Sequence, residues 1–167
     1  MLPIALGVAV IVAVVSWRVH LRRRIRAETL QDMLDLTPAN FERAIGALLR
    51  DSGYSHVKNI GRSGDQGIDL LCRDATGRSC GVQCKRYAPG RTIGSPELRR
   101  FLGSLVYREL EHGIYVTTSA FTNAAVEVAR HSDIDLIDGD RLTSLLLERQ
   151  ARKDAAGIGA ASTPSAR

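Results

Sequence analysis

The chain has 167 residues, a formal net charge of +5, 44% hydrophobic and 5% aromatic residues. That length suggests one domain, and the three cysteines, Cys72, Cys80 and Cys84, lack the pairing or nearby histidines that a secreted disulfide scaffold or a structural zinc site needs. The charge divides as +2 over residues 1–36, +1 over 37–150 and +2 over 151–167, so any nucleic-acid surface has to be a local patch.

The first stretch, "LPIALGVAVIVAVVSW" (residues 2–17), has no charged residue and runs straight into "RVHLRRRIR". Sixteen helical residues span about 24 Å, a little short of a bilayer's hydrocarbon core, and the flanking Val19 and Leu21 extend the apolar surface. A cleaved signal would carry its positive charge before the apolar run rather than after it. The expectation is a single-pass transmembrane anchor over residues 1–21. A basic juxtamembrane linker or helix follows over 22–36, and Arg18, Arg22, Arg23, Arg24 and Arg26 hold the rest of the chain on the cytoplasmic side of a bacterial-type inner membrane.

From residue 37 the pattern becomes that of a mixed α/β domain, extending to about residue 150. Thr37 caps a helix that Pro38 opens, Phe41, Ile45, Leu48 and Leu49 form its apolar stripe, and Gly53 stops it. Three strands follow ("YSHVKNI", "IDLLCRD", "SCGVQCK"), then a helix from Ser95 with Leu98, Leu102, Leu105 and Val106 on one side. A strand "GIYVTTS", a helix "TNAAVEVARH", a short strand "IDLIDG" and a helix "DRLTSLLLERQ" complete the order α-β-β-β-α-β-α-β-α, which implies a mixed sheet flanked by helices. Residues 151–167, small and polar, are expected to be a disordered tail. His56, His112 and His131 form no ligand-like cluster and are read as structural, and Asp65 is read as a turn residue.

The hairpin "IDLLCRDATGRSCGVQCK" carries the chemistry. A type I turn followed by a left-handed glycine at Gly77 pairs Asp74 with Arg78. That register lays Asp69 opposite Gln83, with Lys85 two residues further on the same face. It sends Cys72, Cys80 and Cys84 to the opposite, buried face with Ile68, Leu70 and Val82. A carboxylate, an amide oxygen and an ammonium at one strand end suit a hard cation such as Mg²⁺ beside a phosphate. By spacing alone, the same three residues also read as a surface ion pair beside an exposed amide. Glu42 alone reads as a first-turn carboxylate matched to the helix dipole.

The run "GRSGDQGIDLL…GVQCKRY", with "VTTSAFTNAAVEVAR" and "LIDGDRL" downstream, resembles the catalytic domain of Mrr-type restriction endonucleases, within the PD-(D/E)xK nuclease superfamily. The resemblance covers roughly residues 37–147. It implies a restriction-endonuclease-like fold and Mg²⁺-dependent hydrolysis of DNA. Asp69 and Gln83 would be the metal ligands, Lys85 would stand beside the attacking water, and Glu42 would be a second carboxylate. Gln83 stands where the superfamily more often has Glu or Asp, which makes a second carboxylate welcome. Gly64 and Gln66 of the glycine-rich turn, with Arg86 and Arg91, are the candidate DNA contacts, and Arg99 and Arg100 are weaker ones. For each arginine a solvated surface role is an equal reading. The expected partners are DNA, the membrane and a second copy of the chain as a homodimer. The competing reading is a non-catalytic DNA-binding or membrane-associated interaction module on a nuclease fold.

Overall fold

The computed structural model describes residues 2–61, 67–88 and 90–161, with side chains described from residue 11 to residue 156 within those ranges. The N-terminal apolar run and the linker after it form one uninterrupted helix, α1 (Leu2–Asp35). From Val8 to Asp35 the sequence has neither Gly nor Pro, so nothing breaks the hydrogen-bond ladder. Ile11, Val12, Val15 and Trp17 stand exposed on α1, while Met33, just before its end, packs against the domain core. Among the described residues no helix is long and apolar enough to cross a membrane. The anchor expected over residues 1–21 falls in part, residues 1–10, outside those whose side chains are described.

Helix α2 (Pro38–Asp51) starts as expected: the Thr37 hydroxyl accepts from the Asn40 N–H, and Phe41, Ile45, Leu48 and Leu49 are buried. Strands β1 (Ser55–Asn59), β2 (Leu70–Arg73) and β3 (Ser79–Lys85) form an antiparallel meander. After β3 come β4 (Thr92–Ile93), α3 (Ser95–Tyr107), β5 (His112–Thr117), β6 (Ala120–Phe121), α4 (Asn123–Arg130), β7 (Ile134–Ile137) and α5 (Gly139–Ala161). The main sheet runs β1-β2-β3-β5-β7, parallel from β3 onward, and β4 pairs with β6 in a small parallel ribbon. This is the expected mixed α/β architecture, with the two-residue strands β4 and β6 added.

Both faces of the sheet are covered. Phe41, Ile45, Leu70, Cys72, Cys80, Val82, Ile114, Val116 and Leu142 form a core beneath α2 and α5. Ile93, Leu98, Phe101, Leu105, Tyr115 and Ala125 form a second core beneath α3 and α4. Helix α3 presses onto a glycine floor: a Cβ at Gly81 or at its partner Gly113 would stand 2.7 or 2.6 Å from Leu105.

Three expectations change. Ile68 is fully buried but belongs to the core beneath α3, not to that of Leu70 and Val82. The regular ladder begins only at Leu70, and the Asp69 N–H reaches back to the Val82 carbonyl (2.8 Å), so strict alternation does not extend to residue 68. Cys84 is only partly buried, since β3 is emerging from between the two layers there. On α3, Phe101 takes the inward place given to Val106, which is 70% exposed. The stripe is centred near Leu105, and one more residue turns the side chain about 100° away from it. Of the tail expected over residues 151–167, residues 151–161 continue α5 (Gly139–Ala161) and 162–167 lie outside the described residues.

Candidate active site

The β2–β3 hairpin has the register its turn chemistry predicts. Gly77 adopts φ +89°, the Asp74 N–H donates to the Arg78 carbonyl, and the ladder pairs Cys72 with Cys80 and Leu70 with Val82. One step beyond the ladder, Asp69 meets Gln83. The Gln83 amide donates to Asp69 Oδ2 at 2.5 Å, and the Cys84 backbone N–H donates to the same oxygen at 2.6 Å. Gln83 is only 7% exposed, so its amide is held in place rather than solvated. Its carbonyl end points toward Gly67, which adopts φ +85°; a Cβ there would come within 3.0 Å of Gln83 Oε1. Glycine at 67 therefore serves both the turn and the room that oxygen needs.

Helix α2 delivers Glu42 to the same place. Pro38, Phe41, Glu42, Asp69, Gln83, Cys84, Lys85, Arg86 and Tyr87 line one cleft of about 280 Å³. Asn59, the last residue of β1, orients the carboxylate by donating to Glu42 Oε2 at 2.9 Å, while its own Oδ1 accepts from the Gly61 N–H at 3.0 Å. The Cys84 thiol is pushed well above its ordinary range, first by burial and then by the negative charges of Asp69 and Glu42. Lys85 is partly buried, and its ammonium makes no hydrogen bond or ion pair among the described residues.

Lys85 and Gln83 also face a larger neighbouring cleft of about 570 Å³, lined further by Tyr87, Arg91, Arg100 and Ser104. Arg91 lies over the Tyr87 ring, its guanidinium carbon 4.0 Å from the centroid. Arg86 reaches the other way and donates to the Leu34 carbonyl at the end of α1, so its guanidinium is partly spent on holding that helix. Arg99 bonds Ser95 and lines a separate shallow depression with Leu102, Val128 and His131. Gly64 and Gln66 lie outside the described residues, as does Asp65. His56 sits at φ +54° where the β1 register shifts, His131 bonds the Glu127 carbonyl, and His112 lies at the far end of β5 between Asp133 and Asp135.

The donor set suits a hard cation. Among the described residues no three His, Cys, Asp or Glu side chains converge as a metal cluster. The cleft instead offers two carboxylates, Asp69 and Glu42, while the Gln83 amide turns its NH2 end to Asp69 and its oxygen to Gly67. An all-oxygen set of this kind fits Mg²⁺ better than Zn²⁺. A cavity of about 390 Å³ between α2, α5 and the sheet, lined mainly by Ile45, Leu48, Leu49, Ile114, Val116 and Leu145, has no such convergence.

A sheet that is antiparallel on one side and parallel on the other, with carboxylates and a lysine at the end of its third strand, is a restriction-endonuclease-like nuclease fold. Residues 33–146 match the family model Mrr_cat, restriction endonuclease, and the chain belongs to that family. It is 34% identical over 138 residues to the type IV methyl-directed restriction enzyme EcoKMrr of Escherichia coli (strain K12), an alignment covering 78% of this chain and 45% of that protein. The chain thus spans less than half the length of that relative. Among solved structures it is similar to the DNA modification-dependent restriction endonuclease AspBHI (TM-score 0.56, 21% identity, 77% of this chain and 35% of that one). It is also similar to the MspJI restriction endonuclease in complex with a 27-mer oligonucleotide (TM-score 0.55, 26% identity, 72% of this chain and 30% of that one).

Sequence reasoning named the four cleft residues Asp69, Gln83, Lys85 and Glu42 but missed those that hold them. Asn59 carried a faint signal, a turn-forming residue closing a strand before "IGRSG". Gly67 was visible only as one glycine among several. Thr118 lay inside the quoted run "VTTSAFTNAAVEVAR", but nothing in that run shows that its hydroxyl bonds the backbone of Tyr87, 31 residues away.

Proposed function

We propose that the chain is a metal-dependent DNA endonuclease domain that hydrolyses phosphodiester bonds with Mg²⁺. The observation that carries this is the convergence of Asp69, Gln83, Lys85 and Glu42 on one cleft. Asp69 and Glu42 would hold the cation, and Gln83 would join them through Oε1 after its amide turns over, since its NH2 end faces Asp69 and its oxygen faces Gly67. The cation, when bound, supplies Lewis acidity at the phosphate and a bound water of lowered pKa. Lys85, with no carboxylate partner competing for it among the described residues, orients the attacking water and offsets charge building on the phosphate oxygens. Arg91 and Arg100, beside Glu97, line the neighbouring cleft, where a nucleic-acid backbone would continue. The named activities of the relatives support DNA as substrate and restriction as the role.

The test is incubation of the full chain, in detergent, with plasmid and Mg²⁺. Nicked or linear product, absent with EDTA and absent for Lys85→Ala, supports the reading. Tight DNA binding without any cleavage would move it to a binding module.

Placement at the membrane belongs to the same proposal. Ile11, Val12, Val14, Val15, Trp17 and Val19 are exposed apolar residues on α1, directly before the arginine cluster. In water such a helix costs free energy at every exposed apolar side chain, and a bilayer removes that cost. Arginines next to the apolar stretch favour the cytoplasmic side. The full chain is expected to sediment with membranes and to release when residues 1–21 are deleted; a soluble full-length chain would overturn the anchor.

A further inference from the structure

The catalytic lysine proposed above has no side-chain partner among the described residues. Its position therefore has to come from its backbone. The ladder between β3 and β5 ends at Lys85 opposite Thr117, and beyond that pair the chain has no further strand neighbour. Thr118 takes over that place. Its backbone N–H donates to the Lys85 carbonyl at 3.3 Å. Its hydroxyl accepts from the Tyr87 N–H at 2.9 Å and donates to the Tyr87 carbonyl at 2.8 Å.

A hydroxyl both donates and accepts, so a single side chain satisfies both backbone groups of Tyr87. The threonine branch at Cβ restricts the rotamer from which it does so. Thr118 is only 2% exposed, and it is fixed from behind as well. Gly139, the first residue of α5, approaches so closely that a Cβ there would stand 2.6 Å from the Thr118 carbonyl, and the Gly139 N–H donates to Ser119 at 2.8 Å.

We propose that Thr118 is a positioning residue of this site: its side chain and N–H clamp the Lys85–Tyr87 backbone and so set where the Lys85 ammonium points. The same clamp fixes Tyr87, whose ring carries Arg91, so one buried hydroxyl positions both the lysine at the cleft and the arginine beside it. Catalysis is sensitive to such placement, since a misplacement of about 1 Å costs on the order of 100-fold in rate. The inference rests on the nuclease reading for its meaning, but the geometry it claims can be tested apart from cleavage.

The test compares Thr118→Val, which keeps the shape and removes the hydroxyl, with Thr118→Ser, which keeps the hydroxyl. In single-turnover plasmid cleavage, Thr118→Val is expected to fall roughly 10- to 100-fold, with DNA affinity nearly unchanged and Thr118→Ser close to wild type. The second readout is the lysine side chain itself. The chain has three lysines, Lys58, Lys85 and Lys153, so ¹³C-methylated protein gives few enough signals to assign by a Lys85→Arg control. The Lys85 signal should move toward that of a mobile, solvated lysine in Thr118→Val and return in Thr118→Ser. An unmoved Lys85 signal in folded Thr118→Val protein overturns the proposal, whether or not cleavage falls through loss of stability. If the wild-type chain does not cut DNA, the nuclease reading fails separately, and the Lys85 signal still decides whether Thr118 positions it.

Discussion

The two ends of β3 handle charge in opposite ways. At its start, the charged side chains are taken up in ion pairs and hydrogen bonds. Arg78 pairs with Asp74 at 2.8 Å and with Asp133 at 2.9 Å, and Glu111 accepts from the Ser79 N–H at 2.7 Å and its hydroxyl at 2.9 Å. At its end, the described contacts to the carboxylates are N–H donors, and the lysine beside them stands outside that network. Asp69 receives N–H donors from Gln83 and Cys84, Glu42 receives one from Asn59, and the nearby Lys85 ammonium pairs with none of them. A closed network of the first kind completes the fold at an exposed edge and contributes little free energy. The second arrangement keeps charge poised, and such sites are where catalysis is expected.

The largest effect should come from removing the poised charges. Lys85→Ala is expected to lower cleavage by at least about 100-fold while the melting temperature stays close to wild type, because the ammonium makes no bond among the described residues. Asp69 is different, since it accepts from a buried amide and a backbone N–H. Asp69→Ala leaves both unmatched at a cost of about 1–3 kcal/mol, so Asp69→Asn is the cleaner variant and should be equally inactive. Cleavage at the wild-type rate by either Lys85→Ala or Asp69→Asn would remove the distinction between the two ends.

Gln83→Glu sharpens the comparison with a smaller effect. It adds a metal-binding carboxylate but places it against Asp69 Oδ2, where a donor stood 2.5 Å away. Reduced but measurable cleavage is expected, together with a melting temperature that rises more on adding Mg²⁺ than the wild type's does. A variant as inactive as Asp69→Asn would mean that the amide donor to Asp69 is itself required.

The smallest effect belongs to the matched end. The Thr76 hydroxyl and then Arg78 hold the Asp74 carboxyl below the usual carboxylate range. With the folded-state value depressed, its stabilisation is complete above about pH 4 and is lost as the pH falls below that. Asp74→Asn should therefore flatten the acid limb of a stability–pH curve, with cleavage unchanged. Cleavage that falls with Asp74→Asn would show the two ends to be coupled.

Much of this was legible along the chain. Turn chemistry alone determined the hairpin register: a left-handed glycine at 77 pairs Asp74 with Arg78 and carries Asp69 to Gln83. The cap at Thr37, the stripe on α2 and the mixed sheet followed from periodicity and local hydrogen bonding. These are short-range properties, and residues close in sequence suffice to express them. What only the tertiary structure decided lies where distant segments meet. Ile68 went to the core beneath α3 because the ladder stopped one residue short, which no alternation rule reveals. Arg86 turned to the end of α1, 52 residues away, and Thr118 reached Tyr87 across 31 residues. Such contacts depend on which buried backbone groups remain unpaired after the sheet has formed, and that is settled by packing rather than by any local pattern.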